Sequence, residues 1–360
     1  MADNIKILMT ADTVGGVWTY TIDLCKALEP YGVKVYLMTM GALISPQQNQ
    51  ELNGVSNIVL YESNYKLEWM QDAGEDVIKA REWISAAYKA IQPDILHFNN
   101  FGQTDGQWNC PVVTVYHSCV QTWWQAVKGE RPPHDWDWYT DVLKRALNAS
   151  DVVVAPSEGM LNQAENIFGK LRSSRVIYNG RDIKLTIFKD KEPFILTAGR
   201  VWDEGKNIKS LCNVSKELPW LVYVAGNNVH PVTGAEPELE NVKFLGQLSS
   251  VKMQMYMKKA SVFVMPSKYE PFGLAVLEAA RASCALVLAD IPTLREIWED
   301  AALYFDPFDD ETAKVAIRQL TDNAALREEL AVKAQLRARK FTATRMAQEY
   351  YDLYMGLINN

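Results

Sequence analysis

Short apolar segments alternate with longer amphipathic segments along most of the chain. The apolar segments are rich in β-branched residues and keep apolar side chains at consecutive positions, as strands do when helices cover both faces of a sheet. In the first half they lie at 5–9, 33–39, 57–61, 94–98, 112–117 and 151–155. The helical patterns of this half lie near 16–31, 73–91, 135–149 and 157–170. This alternation predicts βαβ units and an open, parallel sheet.

The same alternation restarts in the second half. Further strands are predicted at 193–200, 220–226, 242–246, 261–266, 285–290 and 302–305, and long helical patterns at about 310–339 and 342–357. A mixed stretch between the two series is interpreted as a linker; it contains Lys184, Lys189, Asp190, Lys191 and Pro193. The sequence therefore predicts an α/β protein with two Rossmann-like domains, residues 1–185 and 186–341. Open α/β sheets bind ligands beyond the carboxyl ends of their strands, so we expect the two domains to face each other across a cleft.

Composition and charge narrow the functional classes. The 360 residues include 37 basic and 44 acidic side chains, a net charge of −7, which argues against a nucleic-acid partner because counterion release needs a basic face. No apolar run reaches the roughly 20 residues that span a bilayer, and the segment MADNIKILMTAD lacks the apolar core of a signal peptide. The five scattered cysteines disfavour a disulfide framework or a thiolate zinc site. We therefore expect a cytoplasmic protein whose membrane contact is at most peripheral.

The segment from Glu270 to Glu278, EPFGLAVLE, follows the strand predicted at 261–266. A helix is expected to begin near Gly273, and a helix start presents unpaired N–H groups and a partial positive charge that attract phosphate. Glu278 would lean toward that helix start and accept hydrogen bonds from ligand hydroxyls, while Glu270 would face the same ligand from the strand end. The alternative makes Glu270 a turn residue and Glu278 a solvated charge, which the apolar neighbours of Glu278 disfavour.

Two cations follow the first strand of the second domain. Arg200 ends the segment Ala198-Gly199-Arg200, and Lys206 comes six residues later. Arginine makes forked contacts to a diphosphate and lysine acts as a point charge, so the pair suits a diphosphate held at the helix start. The alternative, two unrelated surface cations, is disfavoured by the anion site predicted in the same domain.

Three features of the first domain also lie at strand ends or in the loops after them. Gly15 and Gly16 follow the first strand and would let a ligand approach the backbone, or form a plain tight turn. His117 ends the fifth predicted strand and would face the cleft, although a lone histidine is also common in a structural role. Trp123 and Trp124 could stack on a sugar or a flat acceptor, or pack in a core. The histidines and cysteines show no metal-ligand spacing, so no metal site is predicted.

Together these residues resemble the retaining glycosyltransferases of family 4, which have the two-domain GT-B fold. The resemblance spans nearly the whole chain and is carried by the glycine pair, the two cations, the E-x7-E spacing of the glutamates and the junction segment Asn179-Gly180-x-Asp182. Residues 341–354 are similar to the family's closing helix, which returns to the amino-terminal domain, so residues 342–360 are expected to pack there. The stretches VWTY and HSCVQTWWQAV resemble a bacterial branch of the family.

The resemblance implies a donor, an acceptor and a set of residue roles. The donor would be a nucleotide-diphosphate sugar, a co-substrate used without a further cofactor or metal, and the acceptor a hydroxyl of a lipid, a small glycoside or a polymer. The sugar would keep its anomeric configuration, and the cations and the helix start would stabilise the leaving diphosphate. Where many relatives have His-Asp, this chain has His117-Ser118. By residue, the resemblance places Arg200 and Lys206 on the diphosphate and Glu278 on the ribose hydroxyls. It places Glu270 and the backbone of Phe272, Gly273 and Leu274 on the donor sugar and phosphate. Gly15 and Gly16 would lie near the donor, and His117 would contact the transferred sugar.

Three other interpretations stay open on the sequence alone. A glycoside hydrolase would use Glu270 and Glu278 as its two carboxylates, but it has no need of a diphosphate clamp. A sugar-nucleotide epimerase of similar architecture has no reason for the E-x7-E spacing. A nucleotide-sugar-binding protein without turnover would keep Arg200, Lys206 and Glu278 unchanged, so only a turnover measurement separates it from a transferase.

Overall fold

The chain folds into two compact units in a computed structural model that describes residues 5–182, 190–229, 234–236 and 239–359. By their internal contacts, unit 1 comprises Met1–Gln125, Glu130–Asp182 and Thr342–Asn360, and unit 2 comprises Ala126–Gly129 and Ile183–Phe341. The predicted boundary between residues 185 and 186, like Lys184 and Lys189 of the proposed linker, lies outside the described residues.

Unit 1 contains a seven-stranded parallel sheet in the order β3-β2-β1-β4-β5-β6-β7. The order reverses between β1 and β4, as it does in doubly wound folds. Its strands are β1 (Lys6–Asp12), β2 (Lys34–Met40), β3 (Ile58–Glu62), β4 (Ile95–Phe98), β5 (Val112–Val115), β6 (Val152–Ala155) and β7 (Ser174–Val176). The helices along it are α1 (Gly16–Leu28), α2 (Pro46–Glu51), α3 (Gly74–Ile91), α4 (Val120–Lys128), α5 (Asp137–Ala149) and α6 (Glu158–Phe168).

Unit 2 repeats the plan with a six-stranded parallel sheet in the order β10-β9-β8-β11-β12-β13. Its strands are β8 (Glu192–Ala198), β9 (Leu221–Ala225), β10 (Lys243–Gly246), β11 (Ala260–Met265), β12 (Ala285–Ala289) and β13 (Leu303–Phe305). Its helices are α7 (Ile208–Val214), α8 (Ser250–Lys259), α9 (Leu274–Arg281), α10 (Pro292–Trp298), α11 (Asp310–Asp322) and α12 (Ala324–Ala338). The two sheets confirm the predicted α/β class with two Rossmann-like domains.

The last helix, α13 (Ala343–Ile358), belongs to unit 1, as the sequence predicts. Its apolar face, including Tyr350 and Tyr354, is buried in the core that also holds α1. The junction segment explains the attachment, because both carboxylate oxygens of Asp182 accept backbone N–H groups of the first turn of α13, each at 3.1 Å. Gly180 passes so close to Thr342 that a Cβ atom would lie 2.1 Å from the Thr342 carbonyl oxygen.

Two predicted elements need correction. The helical pattern over 310–339 is two helices, α11 and α12, because Asn323 has an extended backbone and its side chain accepts the N–H of Leu326 at 3.0 Å, which caps α12. Lys191 of the proposed linker is a packed residue, because its partly buried ammonium donates to the carbonyl oxygens of Met257, Ala260 and Ala282 at 2.6–3.1 Å. Pro193 belongs to β8, as the strand predicted at 193–200 has it, and not to the linker.

Three elements of unit 1 were absent from the prediction. These are α2, α4 and the three-residue edge strand β7. The segment of α2, PQQNQE, has no apolar periodicity, so its helix depends on a capping box between Ser45 and Gln48. Among the helices that the structure describes, none is both long and apolar enough to cross a membrane.

Candidate functional site

The loop after β8 holds Arg200 in a defined position. The guanidinium Nη2 donates to Asp203 Oδ2 at 2.7 Å, and the other oxygen of Asp203 accepts the N–H of Gly205 at 2.9 Å. The guanidinium also lies 5.3 Å from the ring of Trp202. The Asp203 side chain is 6% exposed and that of Arg200 is 42% exposed. Asp203 therefore anchors an arginine that keeps part of its guanidinium accessible.

Lys206 connects this loop to the loop after β11. Its ammonium donates to Glu270 Oε2 at 2.7 Å, and both side chains are mostly buried, at 17% and 11% exposed. Because β8 and β11 are neighbours in the parallel sheet, their carboxyl ends meet at one edge. The hydroxyl of Thr293 donates to the Glu270 carbonyl oxygen at 2.6 Å and steadies that side of the pair. The ion pair thus brings together the cationic loop and the glutamate loop that the sequence singled out separately.

Helix α9 begins at this same edge, which confirms the helix start predicted near Gly273. Gly273 has φ +88° and ψ 59°, a left-handed conformation that glycine adopts at little cost. Among the described residues, no side chain caps the start of α9 at Gly273, so its first N–H groups are suited to an anion. Phe272 is buried and packs edge-on against Phe341, with ring centroids 5.5 Å apart.

The remaining donor-site candidates of this unit lie on α9 itself. Leu274 is its first residue, and Glu278 lies one turn further along; both are partly buried. The structure thus brings Arg200, Lys206, Glu270 and the α9 start to one edge of the sheet in unit 2.

A close backbone contact sets the path of the Arg200 loop. Gly226, just after β9, has φ +149°, and a Cβ atom there would lie 1.7 Å from the carbonyl oxygen of Gly199. Gly199 donates its N–H to the Ala225 carbonyl oxygen at 3.0 Å. Gly199, the residue before Arg200, therefore packs against Gly226 at a distance that only a glycine at position 226 permits.

The glycine loop of unit 1 is fixed on both sides. Gly15 has φ +86° and precedes α1, which begins at Gly16. Before it, Asp12 Oδ1 accepts the N–H of Val14 at 2.5 Å. From α2, the Gln48 amide donates to the carbonyl oxygen of Thr13 at 2.9 Å. The short helix missed in the sequence thus steadies the glycine loop.

His117 lies just beyond β5 and is partly buried. Its Nε2 lies 2.8 Å from Asn99 Oδ1, and its ring meets that of Tyr20 edge-on at a centroid distance of 4.6 Å. Burial, with a smaller contribution from His97, lowers the pKa of His117 to about 3. The ring is therefore neutral at physiological pH, which suits hydrogen bonding to a ligand better than charge neutralisation.

Trp123 and Trp124 stand side by side on α4. Their ring centroids are 6.0 Å apart at an interplanar angle of 72°, and both residues are partly buried. Neither is enclosed in a core, so stacking on an acceptor stays a prediction. These tryptophans, the glycine pair and His117 belong to unit 1, and the other candidates belong to unit 2.

Sequence reasoning missed two residues that hold candidate side chains. Asp203 orients Arg200, and Asn99 orients His117. Asn99 follows β4 directly and could have been found by the strand-end rule that selected His117. Among the described residues, no group of three His, Cys, Asp or Glu side chains is arranged to hold a metal ion.

Two family models match the chain and together span most of it. Residues 14–185 match the model described as Glycosyltransferase Family 4, and residues 181–337 match the model of glycosyl transferases group 1. The chain is 26% identical over 311 residues to a glycogen synthase of Mycobacterium tuberculosis, covering 78% of this chain and 70% of that protein. An O-antigen chain mannosyltransferase of Salmonella typhimurium is 29% identical over 142 residues, which cover 37% of this chain and only 39% of the relative.

Solved structures share the fold at low sequence identity. A sucrose-phosphate synthase from Thermosynechococcus elongatus superposes with a TM-score of 0.83 at 18% identity, covering 99% of both chains. The protein HepE of Anabaena, solved in complex with UDP-glucose, superposes with a TM-score of 0.74 at 17% identity, covering 98% of this chain and 100% of that one. At these identities the likeness shows the fold.

Proposed function

We propose a specific reaction for this chain, which belongs to the family 4 type of glycosyltransferases with the GT-B fold: it moves a sugar from a nucleotide-diphosphate sugar to a hydroxyl acceptor, with retained anomeric configuration and without a metal ion. The donor class is supported by HepE, whose solved complex holds UDP-glucose. The acceptor classes that we consider are a lipid, a small glycoside and a polymer.

The observation that carries the proposal is the Lys206–Glu270 ion pair beside the start of α9. The contact at 2.7 Å joins a cation from one loop to the loop that leads into the helix start, and Arg200 belongs to the same cationic loop. A diphosphate needs several positive groups at one place, because its charge grows as the bond to the sugar breaks. Two fixed cations and a helix start meet that need with protein groups alone.

In the proposed reaction each residue has a distinct task. Arg200 and Lys206 bind the diphosphate, Glu270 keeps the ammonium of Lys206 at the helix start, and the backbone from Phe272 to Leu274 donates to phosphate oxygens. Glu278 accepts hydrogen bonds from the ribose hydroxyls, and His117 contacts the transferred sugar.

Bond making and bond breaking are proposed to occur on one face of the sugar. As the bond from the anomeric carbon to the diphosphate oxygen breaks, the acceptor oxygen bonds to the same face of that carbon. The acceptor proton passes to the departing phosphate oxygen, so no side chain has to act as a base.

The first experiment measures release of nucleoside diphosphate from a panel of nucleotide sugars, with mixed glycosides and lipid extracts as acceptors. We expect acceptor-dependent release from at least one donor, unchanged by a chelator, and a product whose anomeric configuration, read by proton NMR, matches the donor. Loss of activity on chelation with recovery on magnesium or manganese would contradict metal independence, and an inverted product would contradict retention.

The same panel separates the alternatives. A binding protein without turnover would show a raised melting temperature with a nucleotide sugar and no release with any acceptor. A hydrolase using Glu270 and Glu278 would release free sugar from glycosides that carry no nucleotide.

A further inference from the structure

Asn99 lies within hydrogen-bond distance of two histidines of unit 1. Its Oδ1 is 2.8 Å from His117 Nε2 and 3.3 Å from His97 Nε2. The residue is almost fully buried, at 6% exposed. One carbonyl oxygen has two lone pairs and can accept both contacts.

The orientation of the Asn99 amide follows from its other contacts. Its Nδ2 donates to the carbonyl oxygen of Thr10 at 2.8 Å and to the hydroxyl of Thr21 at 3.4 Å. The Asn99 backbone N–H also donates to the Thr10 hydroxyl at 3.1 Å. Reversing the amide would set two carbonyl oxygens against each other in a buried place, which costs free energy. Oδ1 therefore faces the histidines and can only accept.

The protonation of the His117 ring then follows. Since Asn99 Oδ1 cannot donate, Nε2 of His117 must carry a proton to make its 2.8 Å contact. In a neutral ring this leaves Nδ1 of His117 as an acceptor. Asn99 does not fix the tautomer of His97 in the same way, because Nε2 of His97 also lies 3.4 Å from the hydroxyl of Tyr20 and its Nδ1 lies 2.6 Å from that of Tyr354 on α13, and a hydroxyl can donate or accept.

His117 differs from His97 in its second nitrogen. His97 is fully buried and both of its ring nitrogens have partners. His117 is partly exposed, and no partner of its Nδ1 is found in the part of the chain that the structure describes. That atom is the one ring position of His117 left for a ligand.

We propose that Asn99 is a positioning residue, which holds His117 in the form protonated on Nε2 so that Nδ1 accepts a hydrogen bond from a hydroxyl of the transferred sugar. The hydrogen bond from the sugar hydroxyl to Nδ1 rests on the proposed function, whereas the tautomer of His117 depends only on its contact with Asn99. Asn99 acts only through His117, and Thr10, His97 and Tyr354 keep Asn99 in place. The site therefore selects a donor sugar that presents an O–H to this nitrogen.

The direct test is ¹⁵N NMR of the protein labelled with ¹⁵N-histidine, because protonated and unprotonated ring nitrogens have well-separated chemical shifts. The chain has only four histidines, and the exposed His134, whose pKa is raised by hydrogen bonding to Asp137, serves as an internal titration reference. We expect His117 to show one tautomer, protonated on Nε2, and neither His117 nor His97 to titrate between pH 6 and 8. A proton on Nδ1 of His117 in the wild type would overturn the inference.

The variant Asn99→Leu keeps the size of the side chain and removes its hydrogen bonds. We expect His117 to average between tautomers and kcat to fall about tenfold, the effect of one lost hydrogen bond in the transition state, with a smaller change in donor KM. Tyr354→Phe keeps the contact of Asn99 with His117 and should affect kcat less. Tyr351→Phe, on the same helix but outside this hydrogen-bond network, should change neither the His117 tautomer nor kcat.

The outcomes separate the two levels of the proposal. A folded Asn99→Leu protein with an unchanged His117 tautomer and normal kcat would overturn the positioning role. If Asn99→Leu does not fold, the wild-type NMR spectrum still decides the tautomer. If the wild type shows the expected tautomer but releases no nucleoside diphosphate from any donor, the proposed reaction fails while the assignment of Asn99 stands.

Discussion

Replacing Gly226 by alanine tests whether the close contact between Gly226 and Gly199 fixes the backbone next to Arg200. The new Cβ would start 1.7 Å from the carbonyl oxygen of Gly199 and must reach at least 3.0 Å, a displacement of 1.3 Å. The obstructing atom belongs to the backbone, so no side chain can rotate away. Because Gly199 precedes Arg200 directly, the displacement moves the residue that we place on the diphosphate.

Two costs add in this variant. A non-glycine residue at positive φ costs about 1–2 kcal/mol, and forcing extra volume into a packed place costs about 1–3 kcal/mol. For a unit of this size that sum lowers the melting temperature by roughly 4–20 °C. Misplacing a catalytic group by about 1 Å costs on the order of 100-fold in rate.

The matched control is Gly246→Ala. Gly246 also has a positive φ, +67°, but a Cβ atom there meets no atom of the described residues within 4 Å, so this variant carries the backbone cost alone. The assays are a melting curve and release of nucleoside diphosphate for both variants. We expect Gly226→Ala to lose more stability and far more turnover than Gly246→Ala. Equal behaviour of the two variants would refute the claim that contact with Gly199 fixes the Arg200 loop.

Three further predictions concern unit 1. Trp123→Ala and Trp124→Ala should change acceptor use more than nucleotide affinity, measured by kinetics and calorimetry; a selective loss of nucleotide binding would place these rings off the acceptor side. Burial lowers the pKa of His97 to about 3, below its unfolded value of about 6.5. The contribution of the neutral ring to the free energy of unfolding is therefore fully present above pH 6.5 and falls toward pH 3 by up to ~1.4 kcal/mol per pH unit. Denaturant titrations should show a shallower acid decline of stability in His97→Leu than in the wild type, and an equal decline would contradict this. Gly180→Ala should loosen α13, with faster proteolysis near residue 342, whereas Gly356→Ala, with no atom of the described residues within 4 Å of its Cβ, should not; protection equal to wild type in Gly180→Ala would refute the role of the contact between Gly180 and Thr342.

The sequence predicts most strands and the site loops because both follow from simple rules. Consecutive apolar positions mark buried parallel strands, and the strand-end rule led to Arg200, Glu270 and His117. The partners of these side chains could not be predicted in the same way. That Lys206 contacts Glu270 depends on the β8–β11 pairing, since the two residues are 64 positions apart.

Local pattern also cannot reveal roles that arise from long-range packing. Lys191 resembles a linker charge, yet its ammonium is surrounded by carbonyl oxygens from three distant positions. The strand-end rule reaches Asn99, but it does not predict the contacts with Thr10 and two histidines that the fold gives this residue. The helix α2 has no apolar periodicity and is visible only through its cap.

The measurement that tests the central claim most directly compares turnover with nucleotide binding in Arg200→Ala, Lys206→Ala and the control Lys209→Ala, whose side chain is exposed on α7. If Arg200 and Lys206 stabilise the leaving diphosphate, each alanine variant should lose about 100- to 1000-fold in turnover, more than it loses in affinity for the nucleotide sugar. Arg200→Lys should recover only part of the rate, because lysine lacks the forked geometry. Lys209→Ala should match the wild type, and all variants should melt as folded proteins. Near-normal turnover in both Arg200→Ala and Lys206→Ala would contradict the account.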